Sequence, residues 1–262
     1  MKRISHDAWA TILGVVYLGL MVNFLVLVAA SPLVVLLITT DPALSWPLLA
    51  LAAPLVAPAL TGAFTAFREF GRGEPQVVRS FLRGWKATAR KGLLIGVAAT
   101  ASVVVLLVDV RAVSASPASV MIVPVLALLT VIAAATALVA LVALAEEPGA
   151  RMRDIVKAAL YLCVRRWYLT AMSLVVLGVQ IGLFTTMPAI AIGLTCAPAL
   201  YVAWANSRYT LRPVLDVDPV VDVGPVVDVD PVVDVGPVLD SGAARDSGTV
   251  RDSAIVREGA RA

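Results

Sequence analysis

The sequence predicts an all-α integral membrane protein: a six-transmembrane-helix bundle with two cytoplasmic amphipathic helices and a disordered C-terminal tail. Three observations carry that prediction. Six apolar stretches contain no Asp, Glu, Lys, Arg or His, and each is long enough to cross a bilayer, which takes a helix of about 17–25 residues. Basic residues crowd into alternate connections between those stretches. Beyond residue 212 the chain changes character and becomes a run of tandem hexads. Only 15% of the 262 residues are charged and 60% are apolar, whereas soluble domains carry about 25% charged residues. Lipid is therefore the main solvent.

The first stretch, Ala8–Thr39, follows Met1-Lys2-Arg3 and superficially resembles a secretory signal. It is too long for the apolar region of one, about 7–15 residues, so a retained span is expected. Asn23 lies near its middle and Ser31-Pro32 interrupts it. The second stretch, Pro47–Phe67, holds Pro54-Leu55-Val56-Ala57-Pro58 and then Thr61. Two prolines one turn apart free backbone carbonyls and predict a kink or break. Broken helices inside a membrane often line a site or cavity.

The connection Arg68–Lys91 reads as an amphipathic helix. Val77, Val78, Phe81, Leu82 and Trp85 recur at helical spacing, Arg79, Arg83, Lys86 and Arg90 recur on another face, and Pro75 suits its start. Gly92–Val108 is the third span and Val120–Ala145 the fourth. A second amphipathic helix follows, with Ile155, Val156, Ala159, Leu160 and Cys163 as its apolar stripe and Arg153 and Lys157 one turn apart. Both helices are expected in the headgroup plane, anchored by Trp85 and Trp167. Arg79, Phe81, Arg83, Trp85, Lys86, Arg90, Arg153 and Lys157 form the face offered to the membrane surface or to a partner. Spans five and six are Tyr168–Thr186, which carries Gln180, and Ala189–Ala205.

Sixteen Lys/Arg fall on one side of this arrangement and only Arg111 on the other. The positive-inside rule then puts both termini in the cytoplasm. The two basic helices also resemble each other, Arg79–Gly84 against Arg153–Ala158 at an offset of 74 residues. Duplication of a parallel unit and chance likeness between two basic helices both account for this.

Residues 1–212 form the membrane domain, with 17 Lys/Arg against 8 Asp/Glu; residues 213–262 form an acidic tail with 4 against 10. The tail is eight hexads whose fourth position is always acidic, from Asp216 to Glu258. Pro heads the first five and no aromatic residue is present to fill a core, which favours disorder over a calcium-binding β-helix built on Asp-Val-Asp.

Catalytic and metal-binding patterns are missing. The chain has no Gly-rich phosphate loop, no Gly-x-Ser-x-Gly and no Cys cluster, and His6 is its only histidine. No enzyme activity, no cofactor and no metal is expected, and nucleic acid is an unsuitable partner because the basic residues flank spans. Cys163 and Cys196 are expected to stay reduced. Within the spans the polar residues are Asn23, Thr61, Thr100, Ser102 and Gln180. Each suits interhelical hydrogen bonding better than solute contact. Gly92-x-x-x-Gly96 and Gly178-x-x-x-Gly182 permit close helix approach, within the monomer or between copies.

Asn23, Pro32, the run Ala57-Pro58-Ala59-Leu60-Thr61-Gly62-Ala63-Phe64, and then Arg68, Phe81, Trp85 and Gly92 resemble the YesL-like bacterial membrane proteins, a family of unknown function. The likeness is read over about residues 8–205. It implies a multi-pass protein of the bacterial cytoplasmic membrane that accompanies carbohydrate uptake, as an accessory or regulatory component whose partner would be a transporter or signalling protein. It carries over no catalytic residue. A small-solute permease is the alternative, with Asn23, Thr61 and Gln180 as contacts and Pro32, Pro54 and Pro58 as hinge positions.

Overall fold

The computed structural model of the protein describes residues 6–215. The chain divides into two units, Met1–Pro219 and Val220–Ala262, and all described residues lie in the first. From residue 216 onward the hexad tail lies outside the described residues.

The described residues are helical throughout apart from short connections. In chain order the helices are α1 His6–Ala29, α2 Ser31–Thr39, α3 Trp46–Ala52, α4 Val56–Gly71, α5 Val77–Val113, α6 Ser119–Glu146, α7 Met152–Arg165, α8 Trp167–Thr186, the single turn α9 Pro188–Ile190, and α10 Cys196–Leu215. Among the described residues, five helical stretches are long and apolar enough to cross a membrane: 11–29, 46–71, 77–113, 119–146 and 167–186. The sixth apolar stretch is helical from residue 188 onward but not regular α-helix throughout. It is divided among α9, a π turn at Ala191–Thr195 and α10.

Prolines account for the early breaks. Ser31-Pro32 opens α2 directly after α1 ends, and Pro54 lies in a 3-10 turn, Ala53–Leu55, that separates α3 from α4. A proline has no N–H to give and crowds the carbonyl one turn back. The α4–α5 turn is made differently. Glu74 N–H donates to Glu69 O and Gly73 N–H to Phe70 O, both at 3.0 Å, with Gly73 at φ +91. This is a Schellman cap, which places the left-handed residue just past the helix end, where glycine carries no Cβ penalty.

The first basic connection is not a separate surface helix. It forms the opening turns of α5, whose 37 residues extend about 55 Å without a break at Lys91-Gly92. The reason lies in its packing. Ser80, Gly84, Thr88, Gly92 and Gly96, spaced four apart, are all buried, and together they give α5 a narrow groove into which α4 fits antiparallel. A Cβ on Gly84 would lie 2.4 Å from Thr65 Oγ1, and one on Gly96 would lie 2.8 Å from both Ala57 Cβ and Pro54 O. Phe81 is buried at 2% exposure against Gly62. Its expected place on the surface face is thereby corrected. Arg79, Arg83, Trp85, Lys86 and Arg90 are exposed.

The second connection behaves otherwise. α7 is a helix of its own, because Arg166 leaves helical geometry (φ −115, ψ 45) before α8 begins. It buries Ile155, Ala159, Leu162 and Cys163 and exposes Arg153 and Lys157. The two segments matched at an offset of 74 residues thus differ in how they join the next span.

Replacing Gly84 with Ala is expected to lower stability by about 1–3 kcal/mol, the usual cost of overpacking. Gly178→Ala, where nothing lies within 4 Å, is expected to be neutral or mildly stabilising. Thermal unfolding of the two variants in one detergent makes the comparison.

Candidate functional site

Two amide side chains from different helices converge on the broken sixth stretch. In an unbroken α-helix Ala197 N–H would donate to Gly193 O. Here the Asn23 amide takes the place of that bond: its Nδ2 donates to Gly193 O at 2.8 Å and its Oδ1 accepts from Ala197 N–H at 2.6 Å. Asn23 is buried at 4% exposure. Gln180 of α8 holds the preceding turn, with Nε2 donating to Ala191 O at 2.7 Å and Oε1 accepting from Thr195 Oγ1 at 2.8 Å.

The sequence explains why this stretch needs help. Pro198 has no N–H, so Leu194 O loses its donor one turn on, and Gly193 weakens the helix beside it. A widened π turn is a common response, and such turns recur at functional sites. Pro198 and Gly193 are the residues in the sequence that mark this widened turn.

Thr61 is fully buried. It donates to Pro58 O at 2.9 Å and pairs with Thr88 Oγ1 at 2.6 Å, so its hydroxyl bridges α4 and α5. Pro54 and Pro58 are buried beside this contact, while Pro32 is exposed. Ser102 Oγ donates to Ala98 O within its own helix. Gly92 and Gly96 face α4, whereas a Cβ on Gly178 or Gly182 would meet nothing within 4 Å.

A second constellation gathers where α4 and α6 end. Arg68 donates from Nη1 to Ala145 O and, at 2.8 Å, to Glu146 O, and it pairs with Glu69 at 2.9 Å. Lys91 Nζ donates to Pro148 O at 2.8 Å and Ala150 O at 2.9 Å. Both cations satisfy carbonyls left without partners at the end of α6 and in the turn after it. Glu146 in turn accepts from Trp204 Nε1 at 3.2 Å and pairs with Arg208 at 3.6 Å, joining α6 to α10. The guanidiniums of Arg166 and Arg212 lie 5.4 and 5.2 Å from the Tyr209 ring centre. These capping roles for Arg68 and Lys91 are not legible from charge counting, which sees only their position beside spans.

Cys163 and Cys196 are free thiols. Burial pushes the Cys163 thiol up, against smaller opposing effects of hydrogen bonds with Thr136 and Thr170. It therefore stays protonated at neutral pH and has little nucleophilic character. Among the described residues no group of three His, Cys, Asp or Glu could hold a metal ion.

Asn23→Leu is expected to cost about 1–3 kcal/mol, because it leaves Ala197 N–H and Gly193 O to re-pair across a widened turn. Gln180→Leu is expected to cost less, since Gln180 is only half-buried. Unfolding midpoints in detergent measure both, and equal midpoints for Asn23→Leu and the parent would refute the rung-replacement account.

No curated protein and no solved structure matches the chain. The resemblance read from the sequence reached residue 205, but the family match is shorter. Over residues 9–110, which hold Asn23, the proline break and the α4–α5 groove, the chain matches the family described as Protein of unknown function, DUF624.

Proposed function

We propose that this chain is a six-span protein of a bacterial cytoplasmic membrane, with both termini in the cytoplasm, that acts as a non-enzymatic accessory or regulator of another membrane protein. The observation carrying this reading is where the intramembrane polar groups are spent. Asn23 and Gln180 are bound to the backbone of the broken stretch and Thr61 to α4 and α5. Among the described residues no buried side-chain nitrogen or oxygen lacks a hydrogen-bond partner. A permeant solute would have to compete with bonds already made, whereas the exposed cations of α5 and α7 are available to a partner. The YesL-like resemblance is what directs the role toward carbohydrate uptake and a transporter or signalling partner.

The sixth span is the divided one. Asn23 satisfies Gly193 O and Ala197 N–H, and Gln180 binds Ala191 O, in keeping with the need for irregular backbone at membrane depth to be bonded within the protein. The positive-inside rule supports the orientation.

A permease is the second reading, favoured by the irregular turns at Ala53–Leu55 and Ala191–Thr195, since departures from α geometry inside a helix recur at functional sites. Reconstituted vesicles separate the two. On the accessory reading, uptake of a panel of sugars equals that of empty vesicles, and uptake above that level, abolished by Asn23→Ala, would establish the permease. Tagged protein from its native host should copurify with a membrane transporter or signalling protein in mild detergent, and its purification alone would count against the accessory role.

Topology has its own test. In a background lacking Cys163 and Cys196, Ser114→Cys should label from outside and Arg153→Cys only from the cytoplasm. Both positions are exposed, whereas Ser80, at 3% exposure, is too buried for such labelling. Outside labelling at 153 would overturn the orientation.

A further inference from the structure

Three cations at the start of α5 have no counter-charge among the described residues. Arg79, Arg83 and Lys86 stand at i, i+4 and i+7 and line, with Tyr17 of α1 and with Val78 and Leu82, a concavity of about 650 Å³. Among the described residues, ion pairs join Arg68 and Arg72 to Glu69, and Arg208 to Glu146. None reaches these three cations. Arg79 has a 3.5 Å hydrogen bond to Gln76 Oε1, an uncharged acceptor that leaves its charge in place. The first turn of α5 also contains no acidic residue, although cations one turn apart repel each other and are disfavoured near a helix start. α7 has the opposite, favourable arrangement, with Asp154 in its first turn and Arg165 in its last.

We propose that this concavity binds the phosphate of an anionic phospholipid. The proposal rests on the reading of the α5 basic face as a membrane-surface face, and it names the ligand of that face. Two guanidiniums can fork onto phosphate oxygens while an ammonium adds a mobile point charge. The Tyr17 hydroxyl supplies a further donor from a different helix. A lipid headgroup is favoured over a soluble phosphate ester because apolar surface borders the charges. Leu82 is 40% exposed and Tyr17 48%, and Tyr17 belongs to a helix long and apolar enough to cross a membrane. Basic residues flanking a membrane helix are a known basis for recognising anionic lipids.

The full chain in neutral detergent, titrated with dioctanoyl phosphatidylglycerol and read by its unfolding midpoint, tests this. The midpoint should rise with phosphatidylglycerol and not with dioctanoyl phosphatidylcholine. Replacing Arg79, Arg83 and Lys86 together with Gln should weaken the half-saturating concentration roughly a hundredfold, given the contribution of each basic residue near an anionic surface. The pair Arg153→Gln and Lys157→Gln, on the other basic face, should leave it unchanged. Equal loss in both variants would reduce the effect to general surface charge, and an unchanged triple variant would remove the site. A response to glycerol phosphate matching that to phosphatidylglycerol would overturn the lipid assignment in favour of a soluble ester. Partner copurification is read separately, so failure here leaves the accessory reading standing.

Discussion

Lipid chains are as apolar as leucine, so helices inside a bilayer gain nothing from hiding apolar surface against each other. What holds α4 to α5 is proximity. The four-residue repeat Ser80, Gly84, Thr88, Gly92, Gly96 keeps side chains small or absent along one line of α5, and α4 lies in that line with Thr65, Thr61 and Ala57 against it, followed by Pro54 of the preceding 3-10 turn. Dispersion contacts multiply at this separation, and the Thr61–Thr88 hydroxyl pair adds a polar link. The rest of the described fold builds on this pair. α1 packs on both helices, and Arg68 and Lys91, one from each member of the pair, reach the end of α6 and the turn that follows it.

The second constraint is that backbone polar groups in a membrane must find partners inside the protein. Proline breaks the regular ladder near Pro32, Pro54 and Pro198, and the solutions differ. At Pro32 a new helix starts at once. At Pro54 the chain tightens into a 3-10 turn and presses against Gly96. Near Pro198 the helix widens instead, and two amides from α1 and α8 complete the hydrogen bonding. A widened turn exposes a carbonyl and an N–H to the side, and a primary amide offers one donor and one acceptor in the matching geometry. That is a structural reason for the most buried polar side chain of α1 to be Asn rather than Ser or Thr, whose single oxygen cannot reach both groups at once.

Much of this architecture is legible from residues. Apolar length and the lack of charge give five of the helices directly, and Pro54-Leu55-Val56-Ala57-Pro58 announces the break in the second stretch. Two features escape such reading for physical reasons. The amphipathic pattern of residues 77–91 fits a separate surface helix and the start of a long one equally well, because periodicity reports a face and not an end. Only Gly84, Gly92 and Gly96 hint that the buried face is the small one; periodicity groups Phe81 with Leu82 and Trp85, but Phe81 is buried while the other two are exposed. Asn23 and Gln180 are visible as polar residues in apolar runs, yet their common target is not, since residues 23 and 193 meet only through tertiary structure.

Charge counting merges cations that do different things. Arg68 and Lys91 are held by carbonyls at and just beyond the end of α6, where the helix dipole favours a positive charge, and Arg208 is committed to Glu146 and Trp204. Their charges are largely answered within the protein. Those of Arg79, Arg83, Lys86, Arg90, Arg153 and Lys157 are exposed and have no carboxylate in ion-pair range among the described residues. Orientation in the membrane depends on all of them together, because it is set while the chain inserts and before most of these contacts exist. The charges of the second group are the ones left open to a ligand or partner in the folded protein. The four on α5 belong to the same unbroken helix as the third apolar stretch, so a ligand or partner engaging them acts on an element fixed to α4 along its buried edge rather than on a flexible connection.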